Sequence, residues 1–172
     1  MIQTEATECG IACLAMVASY HGHRIDLNTL RRRFPVSLKG VTLLGLTQIA
    51  AQLHLACRSV RFELGHLPQL RLPAIAHWDL DHFVVLKAVT QKGIVIHDPG
   101  SGERRYSLDA ASKHLTGVAV ELWPTAAFTA KDERTRLPLR TFWGHLRGAP
   151  HALVQILALS FVLELLGNHG HH

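Results

Sequence analysis

The chain has 172 residues, of which 48% are hydrophobic, and a formal net charge of +5. This length predicts one well-filled core and leaves some residues over for a tail. The positive charge does not indicate nucleic-acid binding, because its one dense run, at residues 31–33, lacks interleaved aromatic residues and is typical of a solvated helix face.

Three helices are predicted in the N-terminal third. The first follows an apolar stripe with the three-and-four spacing of one helix face, which Gly22 ends. The members of this stripe are Cys9, Ala12, Cys13, Met16, Val17 and Tyr20. A second helix is expected from the N-cap residue Asp26 to the position before Pro35, and a third over residues 43–53.

Beyond residue 55 the pattern changes to short apolar runs separated by Pro, Gly and charged turns, which is typical of strands. A hairpin turn is predicted at residues 91–93 and a short helix at 108–115. Helices first and strands second favour the α+β class, with the helical half packed on an antiparallel sheet. The predicted strands are residues 57–62, 74–78, 83–89, 94–97 and 118–123.

The domain is predicted to end at residue 126, because residues 127–138 are charged and lack periodicity, as in a linker. Residues 139–148 carry an apolar stripe beside arginines, typical of an interfacial helix, with a soluble docking helix as the alternative. Residues 149–166 resemble the start of a transmembrane helix, and the preceding arginines predict a cytoplasmic domain. Residues 167–172, GNHGHH, resemble a cloning remnant.

Cys9 is a candidate nucleophile because it falls in the first turn of a predicted helix, where free backbone N–H groups and the helix dipole favour a thiolate. The alternative is a buried structural cysteine, and we interpret Cys13 and Cys57 in that way. Three cysteines without a framework spacing also predict a reducing compartment. The N-terminal MIQTEATECG has no secretory signal pattern.

His82 is the candidate base, placed where a turn begins the apolar strand of HWDLDHFVVL. The predicted hairpin would bring Asp98 back beside His82, where a carboxylate orients the ring and stabilises its charged form. Gln3 is a candidate oxyanion donor together with the backbone N–H of Cys9. Nucleophile, base, orienter and oxyanion donor then follow the plan of a papain-like cysteine peptidase.

The segments QTEATECGIACLAM, HWDLDHFVVL and IHDPGSGERRY resemble the signatures of bacteriocin-processing peptidase domains, which begin peptidase-containing ABC transporters. The resemblance spans about residues 2–124. It implies a cysteine endopeptidase that removes the leader of a bacteriocin or microcin precursor after Gly-Gly or Gly-Ala, with Cys9, His82, Asp98 and Gln3 in the roles given above. A narrow cleft over the cysteine would account for the small residues.

The resemblance also implies partners and a location. The substrate would be a precursor peptide with a helical leader, bound in an apolar groove. Residues 43–53 could supply a wall of this groove, although core packing is the expected use of most of them. Transmembrane and nucleotide-binding domains of the same chain would follow, in a homodimeric transporter at the cytoplasmic face of the bacterial inner membrane. No cofactor is expected for the peptidase. ATP is expected to bind only to the nucleotide-binding domain.

Two alternatives remain from the sequence. Some relatives replace the cysteine and only bind substrate, so a catalytically silent docking module is possible, although Cys9 is retained. A metal site could use Cys9, Cys13 and histidines, but the usual second half of a zinc motif is missing. We therefore predict no metal.

Overall fold

A computed structural model describes residues 6–34, 42–134 and 155–160 of the chain. The helical half comes first, and the strands follow, so the predicted α+β class is confirmed. The helices are α1 (Ala6–Tyr20), α2 (Leu27–Arg33), α3 (Leu43–Gln52) and α4 (Leu108–Ser112), with a 3-10 helix at Leu64–Gln69. The strands are β1 (Leu55–Arg61), β2 (Ala74–Trp78), β3 (His82–Thr90), β4 (Gly93–Asp98), β5 (Gly102–Tyr106) and β6 (Leu115–Pro124).

Within the described residues these strands form one antiparallel sheet in the order β1-β6-β2-β3-β4-β5. Alternate residues of β3 point to opposite faces: Phe83 and Val85 join the core under α1, α2 and α3. Val84 and Leu86 join a second core with the 3-10 helix and α4. Because both faces are covered, β3 reads as a continuous apolar run rather than an alternating one.

Helix α1 is anchored to the core on its β3 side. Ile11, Leu14 and Val17 are at most 1% exposed, and burial of each such side chain contributes roughly 1.5–3 kcal/mol. The predicted stripe does not all face inward, however: Met16 is half-buried and Tyr20 is 71% exposed. The stripe therefore continues from the buried part of α1 to a partly exposed edge at these two residues.

The β3–β4 hairpin positions the candidate residues. Its turn falls where it was predicted, between Thr90 and Gly93. Gly93 has φ +153°, and a Cβ there would lie 2.0 Å from the carbonyl oxygen of Tyr106, so no side chain fits. With Val85 opposite His97, the first residue of β3 and the last residue of β4 lie at the same end of the hairpin.

Two elements differ from the sequence prediction. Strand β5 was not predicted, because its sequence GERRY is polar and mostly exposed at the sheet edge. The 3-10 helix was also missed, since it contains Pro68 and has no regular apolar spacing. Edge strands are often short and charged, which removes the apolar signal by which strands are recognised.

Part of the segment predicted as a linker packs on the domain. The Arg24 N–H donates to the Lys131 carbonyl at 2.7 Å, and the Glu133 N–H donates to the Arg24 carbonyl at 2.8 Å. The ring of His23, which is 3% exposed, contacts the Glu133 carboxylate at 2.9 Å. The first compact unit accordingly extends to Thr135.

The C-terminal predictions fall largely outside the described residues, which there comprise only 155–160. Those six residues are helical, and Ile156, Leu157 and Leu159 are exposed. The predicted interfacial helix at 139–148 and the closing residues 167–172 are not described. In the part of the chain that is described, no helix has the length and apolar character needed to cross a bilayer.

Candidate active site

The sulfur of Cys9 lies where α1 meets the start of β3. It accepts a hydrogen bond from the Phe83 N–H at 3.3 Å, and Cys9 is only 3% exposed. Cys9 is the fourth described residue of α1, where the helix dipole places positive partial charge. An N–H donor and a helix N-terminus both stabilise a negatively charged sulfur. The local environment is therefore suited to a nucleophile.

His82, the first residue of β3, lies between Cys9 and Asp98. Its Nε2 is 3.2 Å from Oδ1 of Asp98, which leaves Nδ1 for the sulfur. The hydrogen bond with Cys9 is the largest cause that raises the pKa of His82 to about 9, helped by the charge of Cys9 and by Asp98, and it outweighs burial. His82 is therefore an imidazolium at neutral pH.

Asp98 is held from three directions. Its Oδ1 accepts the Gly100 N–H at 2.8 Å in the turn that follows β4. Burial acts to raise the pKa of Asp98, but hydrogen bonds from Gly100, Ser101 and His82 together lower it below its ordinary value. The carboxylate is thus charged and fixed in orientation. Sequence reasoning placed Asp98 correctly beside His82, but it missed Gly100 and Ser101.

The turn before His82 is strained and anchored. Asp79 and Leu80 both have positive φ, 49° and 66°, a conformation that costs non-glycine residues of the order of 1 kcal/mol or more. The Asp79 N–H donates to the His114 carbonyl at 2.9 Å, and the Asp79 carboxylate is 2.7 Å from Nδ1 of His114. The His114 ring also stacks on Trp78. These contacts hold the turn that presents His82.

Two other predictions concern the oxyanion donor and the alternative metal site. Gln3 lies outside the described residues, so its role as oxyanion donor stays a prediction. Among residues 6–34, 42–134 and 155–160, no three His, Cys, Asp or Glu side chains are grouped as a metal site would need. Cys13, a ligand in the metal alternative, donates instead to the Phe83 carbonyl at 3.3 Å.

Replacing Asp98 by asparagine tests the orienting role. The amide oxygen can still accept from Nε2 of His82, but the negative charge beside the imidazolium is lost. We expect kcat to fall by roughly 10²-fold with an unchanged fold, the lower end of the range that general acid–base groups contribute. Steady-state kinetics with a cleavable peptide would measure this. Asp81→Asn, an exposed neighbour, is the matched control, and equal turnover in both variants would remove Asp98 from the site.

Comparison with known proteins gives the family. A sequence profile of the Peptidase C39 family matches residues 1–127. The chain therefore belongs to this family and is a cysteine peptidase domain. The papain-like fold class predicted from the sequence is confirmed.

Individual relatives point the same way. The colicin V secretion/processing ATP-binding protein of Escherichia coli is 44% identical over 164 residues, which are 95% of this chain and 24% of that protein. The pediocin PA-1 transport/processing ATP-binding protein of Pediococcus acidilactici is 31% identical over 73% of this chain and 18% of its own length. The chain thus spans a quarter or less of these curated relatives.

A solved structure shares the architecture. It is the crystal structure of a double glycine motif protease from an AMS/PCAT transporter in complex with the leader peptide, with a TM-score of 0.66 and 33% identity. The match covers 73% of this chain and 90% of that one. The peptidase domain of the Streptococcus ComA transporter matches with a TM-score of 0.62 and 28% identity, over 69% of this chain and 93% of that one.

Proposed function

We propose that this chain removes the leader from bacteriocin- or microcin-type precursor peptides by cutting after a Gly-Gly or Gly-Ala pair. The observation that carries the proposal is the convergence of Cys9, His82 and Asp98 on one cleft of about 450 Å³. The sulfur is held by a backbone N–H and faces a charged imidazole, which is the arrangement of a cysteine peptidase. Family membership and the relatives that process such peptides support the same substrate class.

An apolar groove beside the cleft fits the helical leader. The groove has a volume of about 560 Å³, and Ala12 and Leu27 line both it and the cleft. Met16, which is half-buried, and Tyr20, which is 71% exposed, continue the groove along α1. From Cys9 to Tyr20 the helix rises about 16 Å, so three turns of an amphipathic leader can lie beside α1.

The groove is lined by elements other than α3, most of whose apolar residues were expected to pack in the core. Residues 43–53 do not line it, because Leu46 and Ala50 of α3 are fully buried in the core. Ile25 and Val85 line it instead, together with residues of α1. Apolar spacing in a sequence is the same for residues that pack in the core and for residues that line a groove. Only the tertiary structure shows which residues belong to which set.

The reaction follows from the placement of the side chains. The Cys9 sulfur attacks the carbonyl carbon of the second glycine, and the Cys9 N–H is a donor for the resulting oxyanion, with Gln3 as the predicted second donor. The imidazolium of His82 then gives its proton to the leaving amine, and a thioester remains. Water, deprotonated by the now neutral His82, hydrolyses the thioester and releases the leader. Asp98 holds the ring in position for both transfers.

The wider assembly is also part of the proposal. The relatives that cover most of this chain are ATP-binding transport proteins, so we infer that the peptidase works at the cytoplasmic face of the bacterial inner membrane. Its transmembrane and nucleotide-binding domains would belong to the same chain, in a homodimer. ATP would bind only to the nucleotide-binding domain, and the peptidase itself would need no cofactor. A silent docking module is disfavoured because Cys9 is present and paired with a charged His82.

A synthetic precursor peptide tests the proposal. The peptide should carry an amphipathic leader, Gly-Gly and a short core sequence, with products followed by mass spectrometry. We expect one cut, after Gly-Gly. Two control peptides, one with Val-Val in place of Gly-Gly and one with aspartates on the apolar leader face, should stay intact. Cleavage of all three peptides, or of none, would contradict the proposed specificity.

A charge in the groove should weaken leader binding. Replacing Met16, which is half-buried in the groove, by aspartate removes apolar contact and forces a carboxylate to lose water. We expect KM to rise by about 30-fold or more with kcat within about threefold, corresponding to the roughly 2 kcal/mol or more of apolar burial lost. Leu44→Asp is the matched control, because Leu44 is 68% exposed on α3 and outside the groove. An equal effect of both substitutions would show that leaders bind elsewhere.

A further inference from the structure

The peptide group of Phe83 lies between two sulfurs. Its N–H donates to Sγ of Cys9 at 3.3 Å, and its carbonyl accepts from Sγ of Cys13, also at 3.3 Å. Cys9 and Cys13 are four residues apart and so lie on the same face of α1. The residue directly after His82 is therefore fixed to the helix that carries the nucleophile.

The β4 side of the sheet offers this carbonyl no backbone donor. In the β3–β4 register Val85 is opposite His97, and continuing that register would place Pro99 opposite Phe83. Proline has no N–H to donate. A buried carbonyl without a partner is destabilising, and the Cys13 thiol supplies the hydrogen bond at this position.

Cys13 is suited to act as a donor and not as a second nucleophile. It is 0% exposed. Burial, followed by the negative charges of Cys9 and Asp98, raises the pKa of Cys13 well above its ordinary value. The thiol therefore keeps its proton beside the charged groups of the site.

We propose that Cys13 is a positioning residue for the peptidase reaction: its S–H···O bond to the Phe83 carbonyl holds β3 on α1, so that the Phe83 N–H and the His82 ring stay aligned with the Cys9 sulfur. This inference rests on the proposed function for its substrate. It separates Cys13 from Cys57, whose thiol is half-buried on β1 and directed at the Thr47 carbonyl at 3.8 Å.

Three substitutions test the donor itself. Cys13→Ala and Cys13→Val both remove it, the second without leaving a cavity, whereas Cys13→Ser restores an O–H donor. We expect the first two to lower kcat by about tenfold, the effect of one hydrogen bond, with KM within about twofold. The high-pH loss of activity should also move to lower pH, because a looser Cys9–His82 contact stabilises the imidazolium less. The kcat of Cys13→Ser should stay within about threefold of the parental value. The control Cys57→Ser should have the parental kcat.

A melting curve recorded for each variant shows whether it is folded at the assay temperature, and only folded variants are compared. Parental kcat and pH profile in Cys13→Ala and Cys13→Val would overturn the proposal, as would Cys13→Ser being as slow as Cys13→Ala. The rate at which iodoacetamide alkylates Cys9, located by mass spectrometry, provides a readout without substrate. If no double-glycine peptide is cut, the proposed function fails. The role of Cys13 is then still supported if Cys9 is alkylated more slowly in Cys13→Ala and Cys13→Val than in Cys13→Ser and the parent, and it is overturned if the alkylation rates are equal.

Discussion

Replacement of Cys9 by serine is expected to lower peptide cleavage by at least about 10⁴-fold, because the attacking atom is lost. A serine hydroxyl does not ionise near neutral pH, and the hydrogen bond that contributes most to the raised pKa of His82 is made by Cys9. The substitution therefore removes the nucleophile and weakens the charge of its partner together. Cleavage of the synthetic precursor, followed by mass spectrometry, measures the loss.

Leader binding should survive this substitution. The groove is lined by α1 residues that follow Cys9 in the chain, such as Met16 and Tyr20, and not by Cys9 itself. The affinity for the leader should therefore change by less than about threefold, which is a fraction of 1 kcal/mol. Cys57→Ser is the matched control and should cut at the parental rate. Full cleavage by Cys9→Ser would assign the chemistry to another residue, whereas loss of both binding and cleavage would indicate a folding defect.

Replacement of His82 by alanine is expected to lower kcat by about 10³-fold, within the range for loss of a general acid–base group. The leaving amine then receives no proton from the protein, and the sulfur loses its charged partner. KM should change little, because His82 lines the cleft and not the groove. His66→Ala, an exposed histidine on the 3-10 helix, is the control and should be fully active.

The raised pKa of His82 determines the direction in which activity changes with pH. The pKa of His82 is raised to about 9, so the imidazolium is present below that pH and is lost above it. Activity of the parent should therefore decline as the pH rises through about 9. The residual activity of His82→Ala should lack this decline. A decline of the same shape in the variant would mean that another group is responsible.

The main site geometry was predictable from the sequence because it depends on local rules. Helical spacing placed Cys9 at the start of α1, and the hairpin turn placed Asp98 beside His82, where the structure has them 3.2 Å apart. A two-stranded hairpin with a known turn has few possible registers. The catalytic roles of these residues remain predictions for the experiments above.

The supporting contacts could not be predicted because they use backbone groups or tertiary neighbours. The N–H groups of Phe83 and Gly100 have no signature in the sequence, since every residue except proline carries one. Cys13 and Cys57 were interpreted alike, and only the packing of α1 on β3 separates them. The contact between His23 and Glu133 joins residues 110 positions apart, a separation that no local pattern reports.

A leader peptide that ends in a Gly-Gly chloromethyl ketone tests the central claim most directly. The Cys9 sulfur should displace chloride and form one thioether, located on Cys9 by mass spectrometry, with Cys13 and Cys57 unmodified. A scrambled leader should react at least about tenfold more slowly, since each 1.4 kcal/mol of lost binding corresponds to that factor. Modification of the more exposed Cys57, or equal rates for both leaders, would contradict a leader-directed cysteine peptidase with Cys9 as its nucleophile.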